Sequence, residues 1–150
     1  MDARAELQSA VDRMADACMA NDWPAFRAGL NLPFELVTAG ASLVIEDDER
    51  MRQGFDTFAQ MIQLRRVTAY IRPVLGAEFP APGLLTGAYE THLLCRAERV
   101  VPPYTSRARL RLTDGAWRFE RIVNTWENER WPVITPIPGE APISDIDADA

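Results

Sequence analysis

The sequence predicts one α+β domain, with helices in its first half and an antiparallel sheet in its second. Three observations carry this reading. Apolar residues recur at helical spacing in three stretches before residue 65. From Val67 onward, β-branched and aromatic residues alternate with polar ones. Between two of those alternating runs stands Asp114-Gly115, the pair that a two-residue hairpin turn demands. At 150 residues the chain is near the commonest size for one domain and can bury a core without crosslinks.

Leu7, Val11, Met14 and Cys18 form the stripe of a first amphipathic helix. Asn21-Asp22-Trp23-Pro24 restarts a helix, because Asn or Asp caps an N-terminus and proline suits a first turn. Its apolar face is Trp23, Phe26 and Leu30. Phe34–Thr38 and Ser42–Glu46 read as short strands around an Ala39-Gly40-Ala41 turn. The acids Glu46-Asp47-Asp48-Glu49 suit the positive end of a third helix, whose stripe is Met51, Phe55, Phe58, Met61 and Ile62 and whose end falls near Leu64. Four strands follow: Val67–Leu75, Leu85–Val101, Tyr104–Thr113 and Ala116–Asn128. Pro80-Ala81-Pro82-Gly83 and Pro102-Pro103 punctuate them, since proline cannot donate to a central ladder. Residues 1–131 thus read as the domain, and residues 132–150, with four prolines and four acids, as an extended tail.

Composition excludes several function classes. The net charge is −6, and all 16 basic residues are arginine. Without lysine there is no Schiff-base chemistry, and an acidic chain with no basic stripe is a poor nucleic-acid binder. One histidine and two isolated cysteines give no metal site, and no cofactor is expected. Cys18 and Cys95 read as free thiols of a cytoplasmic protein, although sequence alone does not forbid a disulfide between them. No secretory pattern opens the chain and no apolar run reaches the roughly eighteen residues of a spanning helix, so no membrane contact is expected.

The order of elements resembles the nuclear-transport-factor-2-like superfamily, which includes SnoaL-like polyketide cyclases and ketosteroid isomerases. LPFELVTAGASLVIEDDERMRQGFDTF, where hairpin runs into helix, and RARLRLTDGAWRFERIVNTWENERW, the terminal hairpin, carry the resemblance over roughly residues 5–131. It implies a cystatin-like cone: three N-terminal helices packed in the concavity of a strongly bent, mainly antiparallel sheet, with a pocket at the open end. It also implies where isomerase groups would stand. The base falls at Leu36-Val37-Thr38-Ala39, the protonated acid near Ala108, and a helix tyrosine at Met14 or Cys18. None is the required type, so steroid-isomerase catalysis is not expected and no catalytic residue is assigned. No Asp–Arg–Asp arrangement is visible either, and Glu35 and Asp56 read as solvated.

Strand parity assigns the faces. The two-residue turn pairs Thr113 with Ala116, Leu112 with Trp117 and Leu110 with Phe119, and the last four face the helices. Arg109 then opposes Glu120 on the convex face, and Arg111 opposes Arg118. On the long strand Tyr89, Thr91, Leu93, Cys95 and Ala97 face inward and His92 outward beside Glu90, unless a bulge intervenes. In the last strand, unbroken alternation would carry Arg121 inward and make it a candidate anion-binding group. A bulge near Glu120–Ile122 would instead turn Ile122, Asn124 and Trp126 inward, and is preferred because it buries a tryptophan and frees an arginine. The expected function is small-molecule binding in an apolar pocket, with the SnoaL-like resemblance allowing an enzyme of undetermined reaction. The expected lining is Tyr89, Thr91, Ala108, Asn124 and Trp126 with Phe34, Phe55 and Phe58, a set that an ordinary filled core would share. The alternative is a non-catalytic homodimer or partner-binding module using the convex face, with its Arg107, Arg109, Arg111 row, and the tail.

Overall fold

The computed structural model describes residues 2–124; the proposed tail and Trp126 lie outside them. Each helix begins at an aspartate whose carboxylate accepts a backbone N–H of the first turn. Asp2 caps α1 (Ala3–Met19), Asp22 caps α2 (Trp23–Ala28) and Asp47 caps α3 (Asp48–Leu64). Between α2 and α3 lies the hairpin of β1 (Leu30–Val37) and β2 (Ser42–Ile45). The first strand begins earlier than the sequence suggests, running straight out of the short helix.

The expected single strand Val67–Leu75 is two strands, β3 (Ala69–Ile71) and β4 (Val74–Ala81). Arg72-Pro73 breaks it, because Pro73 has no N–H for the ladder. The expected long strand to Val101 is likewise divided. β5 (Leu84–Cys95) turns at Arg96-Ala97, with Arg96 at φ +58, and returns as β6 (Glu98–Arg99). Ala97 is therefore exposed in a turn and does not face inward. The last hairpin, β7 (Tyr104–Thr113) and β8 (Ala116–Asn124), turns at Asp114-Gly115 as expected.

The strands form one mixed sheet in the order β2-β1-β8-β7-β5-β3, with β4 and β6 also paired to β5. All pairs are antiparallel except β1 with β8. In the final hairpin, Thr113 pairs with Ala116, Leu112 with Trp117 and Leu110 with Phe119, as parity requires. The register then shifts: Arg109 pairs with Arg121, leaving Glu120 as the extra residue of a bulge. Leu110, Phe119 and Trp117 are buried, but Leu112, one residue from the hairpin's end, is 44% exposed.

Two apolar clusters fill the concavity. One gathers Leu7, Val11 and Met14 of α1 with Phe34, Tyr89, Leu110 and Phe119; the other gathers Cys18, Phe55, Phe58, Ile62 and Leu93. Each fully buried aliphatic or aromatic side chain contributes about 1.5–3 kcal/mol relative to exposure. α1 touches β3, β4, β5, β8 and both other helices, so its seating sets the shape of the cone. That seating depends on Gly87: a Cβ there would lie 2.5 Å from the Gly76 carbonyl oxygen and 2.5 Å from Leu7 Cδ2. On urea unfolding, Gly87→Ala is expected to cost about 1–3 kcal/mol by overpacking. Gly40→Ala, where a Cβ meets nothing within 4 Å, should stay within about 0.5 kcal/mol of the parent. Equal responses at the two glycines would remove this account of the helix seat.

Candidate functional site

Where the two apolar clusters meet, the cone keeps a cavity of about 120 Å³. Phe26, Phe34, Phe55, Phe58, Met51 and Ile45 supply much of its wall, and Ser106, Ile122 and Asn124 face it from β7 and β8. Phe26 and Phe55 pack with ring centres 4.8 Å apart. Gly54, on the flank of the buried face of α3, leaves open space at the wall, since a Cβ there meets nothing within 4 Å.

One charged residue lines the cavity among those described: Arg72. All three tyrosines of the chain, Tyr70, Tyr89 and Tyr104, line it too. Tyr70 and Arg72 share a face because they are two apart on an extended segment, with Ile71 turned to solvent. The guanidinium carbon lies 4.4 Å from the centre of the Tyr70 ring and 5.2 Å from that of Tyr89. Tyr104 is the cross-strand neighbour of Thr91 and lies close enough to Arg72 to feel its charge. Three polar atoms in this cluster are sealed from solvent without a hydrogen-bond partner: Arg72 Nε, the Tyr89 hydroxyl oxygen and Thr91 Oγ1. No carboxylate among the described residues pairs with Arg72.

The first helix holds this arginine in place. Breaking the strand at Pro73 strands the carbonyl of Arg72 and the N–H of Val74, and one side-chain amide serves both. Gln8 Nε2 donates to the Arg72 carbonyl at 2.9 Å, and the Val74 N–H donates to Gln8 Oε1 at 2.9 Å. Arg4 then donates to the Val74 carbonyl at 2.9 Å, and the Glu90 N–H to the Pro73 carbonyl at 3.0 Å. As a residue Arg72 is half-buried, yet its Nε is enclosed.

Burial sets the protonation of the cluster. It pushes the Tyr104 hydroxyl up to about 12 and the Cys18 thiol up to about 11, with the Arg72 charge opposing in both cases. It also holds Tyr70 well above the ordinary tyrosine value. Burial opposes the charge of Arg72, but a guanidinium's ordinary value lies so far above neutral that it stays charged. At neutral pH, Cys18, Tyr70 and Tyr104 therefore carry their protons. They can donate hydrogen bonds and cannot act as bases.

Of the residues the sequence assigns to a pocket, Phe34, Phe55, Phe58, Tyr89 and Asn124 line the cavity. Two others do not. Thr91 is fully buried but stands behind Tyr104, its cross-strand partner. Ala108 is buried in the core cluster and does not reach the cavity. Trp126 lies outside the described residues. His92 faces away, with Nε2 2.6 Å from Glu90 Oε1 and Nδ1 2.6 Å from an Arg99 nitrogen. The bulge turns Ile122 and Asn124 inward and sends Arg121 to Glu35, Nε to Oε1 2.7 Å. Glu35 is thus an ion-pair partner and not merely solvated. Glu120, at the bulge, accepts from Arg109 at 2.8 Å and Arg111 at 3.0 Å. Sequence reasoning missed Arg72, Tyr70 and Tyr104. Pro73, inside an apparent strand, was the available signal.

Comparison with known proteins places the fold. No family model matches the sequence, and no curated protein matches it. Solved structures do. A domain of unknown function with a cystatin-like fold from Nostoc punctiforme superposes with a TM-score of 0.62 at 16% identity, covering 84% of this chain and 79% of that one. An NTF2-like protein of unknown function from Shewanella oneidensis gives 0.60 at 11% identity, over 81% and 98%. An NTF2-like protein from Cytophaga hutchinsonii gives 0.60 at 11%, over 85% and 100%. The chain therefore has the cystatin-like, NTF2-like cone fold. Among the described residues no group of three or more His, Cys, Asp or Glu could hold a metal, and no helix is long and apolar enough to cross a membrane.

The protonation of the cluster is open to a direct check. Because Tyr70 and Tyr104 are raised in the folded state, they stabilise the fold fully below pH 10 and that contribution is lost as pH rises toward 12. Ultraviolet titration of phenolate should find both protonated in folded protein at pH 10, where unfolded tyrosine is about half ionised. Tyr104→Phe should remove the step near pH 12. A folded titration coinciding with that of the unfolded chain would show that the cluster is open to water.

Proposed function

We propose that this protein binds a small, largely apolar molecule in the cone cavity. The observation that carries the reading is the cavity itself: about 120 Å³ walled by phenylalanine, methionine and aliphatic side chains, with a compact polar cluster at one part of the wall. Apolar cavities near 150 Å³ admit molecules the size of benzene, which sets the scale of the ligand body. The mixture of apolar wall and few polar groups is the usual make-up of a ligand site.

Binding fits the lining better than acid–base turnover of the polyketide-cyclase type. Catalysis of that type needs a group able to take a proton near neutral pH. The described lining contains no carboxylate and no histidine, and Cys18, Tyr70 and Tyr104 are held protonated. What the polar part of the wall offers is hydrogen bonding and one positive charge, without a base. Cys18 and Cys95 are unpaired thiols, which suits the reducing compartment expected from sequence. The convex face, which sequence assigns to contact between two copies, has Arg109 and Arg111 on Glu120 and Arg121 on Glu35, and plays no part in this reading.

Growing a side chain into the cavity tests the reading. Gly54→Leu should leave the fold intact, since leucine is the better helix former by nearly 1 kcal/mol. The variant should lose at least about tenfold in affinity for small aromatic ligands such as benzyl alcohol, measured by calorimetry or by thermal shift. Unaltered affinity in a folded variant would place binding elsewhere.

A further inference from the structure

We infer that the cavity selects a small monocarboxylate with a compact aromatic or branched apolar body, and that Arg72 is its anchor. This rests on the cavity being a ligand site. The geometry shows a half-buried cation whose Nε is enclosed and which no carboxylate among the described residues pairs. Arg72 lies over the Tyr70 and Tyr89 rings at 4.4 and 5.2 Å, and ring faces offset only part of the cost of desolvating a guanidinium. Its Nε–H is enclosed and unmatched, and so is the Tyr89 hydroxyl. A buried cation normally has a partner carboxylate, and a buried donor normally has an acceptor. Here two residues of one cavity lining, Arg72 and Tyr89, each hold an enclosed polar atom without a partner, and a carboxylate brings two oxygens and one negative charge.

The charge count narrows the class. Arg72 is the one charged residue of the described lining, so a monoanion balances it where a phosphate dianion would be left in excess. The phenylalanine walls suit a flat apolar body. Phe58 joins them to the polar cluster, its ring 5.6 Å from that of Tyr70, which in turn carries Arg72. An aryl carboxylate of benzoate size meets both parts at once.

The experiment compares benzoate, benzyl alcohol and benzylammonium by calorimetry on the full chain, in the parent and in Arg72→Gln, Arg72→Met and Arg72→Lys. The parent should bind benzoate about ten- to a hundredfold more tightly than benzyl alcohol, the range of a charge-assisted hydrogen bond, and should reject benzylammonium. Arg72→Gln and Arg72→Met should erase the preference while keeping the affinity for benzyl alcohol, and Arg72→Lys should keep part of it. Ligand-free Arg72→Met should melt above the parent, because an unmatched buried charge is gone. If benzyl alcohol binds the parent as tightly as benzoate, the anchor is overturned while the cavity reading stands. If benzoate preference survives in Arg72→Met, the anion is held elsewhere and the inference falls. A lower melting point in Arg72→Met with preference unchanged would make Arg72 a prop for the tyrosines. If neither benzoate nor benzyl alcohol binds, both readings fail together.

Discussion

A half-buried guanidinium packed over two tyrosine rings constrains much of what surrounds it. Arg72 can stay there only while its backbone is fixed, because a long flexible side chain otherwise turns to solvent. Pro73 ends the ladder on one side, and the amide of Gln8 satisfies both of the backbone groups that the break exposes. The first helix therefore does two things with one face. It covers the sheet through Leu7 and Val11, and it clamps the segment that carries the cation. Gly87 allows the close approach that makes both possible.

The opposite side of the cone shows how the same fold handles its other arginines. The extra residue at Glu120 reverses the parity of the last strand. Ile122 and Asn124 then turn to the cavity, while Arg121 turns to Glu35. Arg109 and Arg111 converge on Glu120, whose carboxyl is lowered: burial alone would raise it, and the two arginine hydrogen bonds outweigh that. These pairs are partly exposed and add little stability each. Their importance here is contrast. The outward arginines at these positions have carboxylates at hydrogen-bond distance, and the inward one has tyrosines.

Much of this was readable from the residues. Helical spacing located the three helices, helped by the Asn21-Asp22 cap of the second and the acidic start of the third, and Asp114-Gly115 fixed the register of the final hairpin. The bulge followed from weighing a buried arginine against a buried tryptophan. Two things defeated the reading. Alternation tells which face a residue takes but not how deep it sits, so Ala108 and Thr91 joined the expected lining although one is buried in the core cluster and the other is screened by Tyr104. Continuity was the second. Val67–Leu75 looked like one strand and Leu85–Val101 another, and each conceals a break that backbone chemistry imposes. Arg72 lies at the first of those breaks, where charge on a strand reads most simply as solvent-facing.

The cavity is thus lined by one positive charge, Arg72, that no described carboxylate pairs. The decisive group is a single N–H, and nitrogen–proton correlation spectroscopy of the arginine Nε region observes that group directly, with Arg72→Lys supplying the assignment. In the free protein the Arg72 Nε–H should exchange slowly with water, and on addition of benzoate its proton should move downfield as it gains an acceptor. A resonance that stays in place while the signals of Tyr70, Tyr89 and Tyr104 shift would show that the ligand enters the cone without meeting the cation, and would contradict the account.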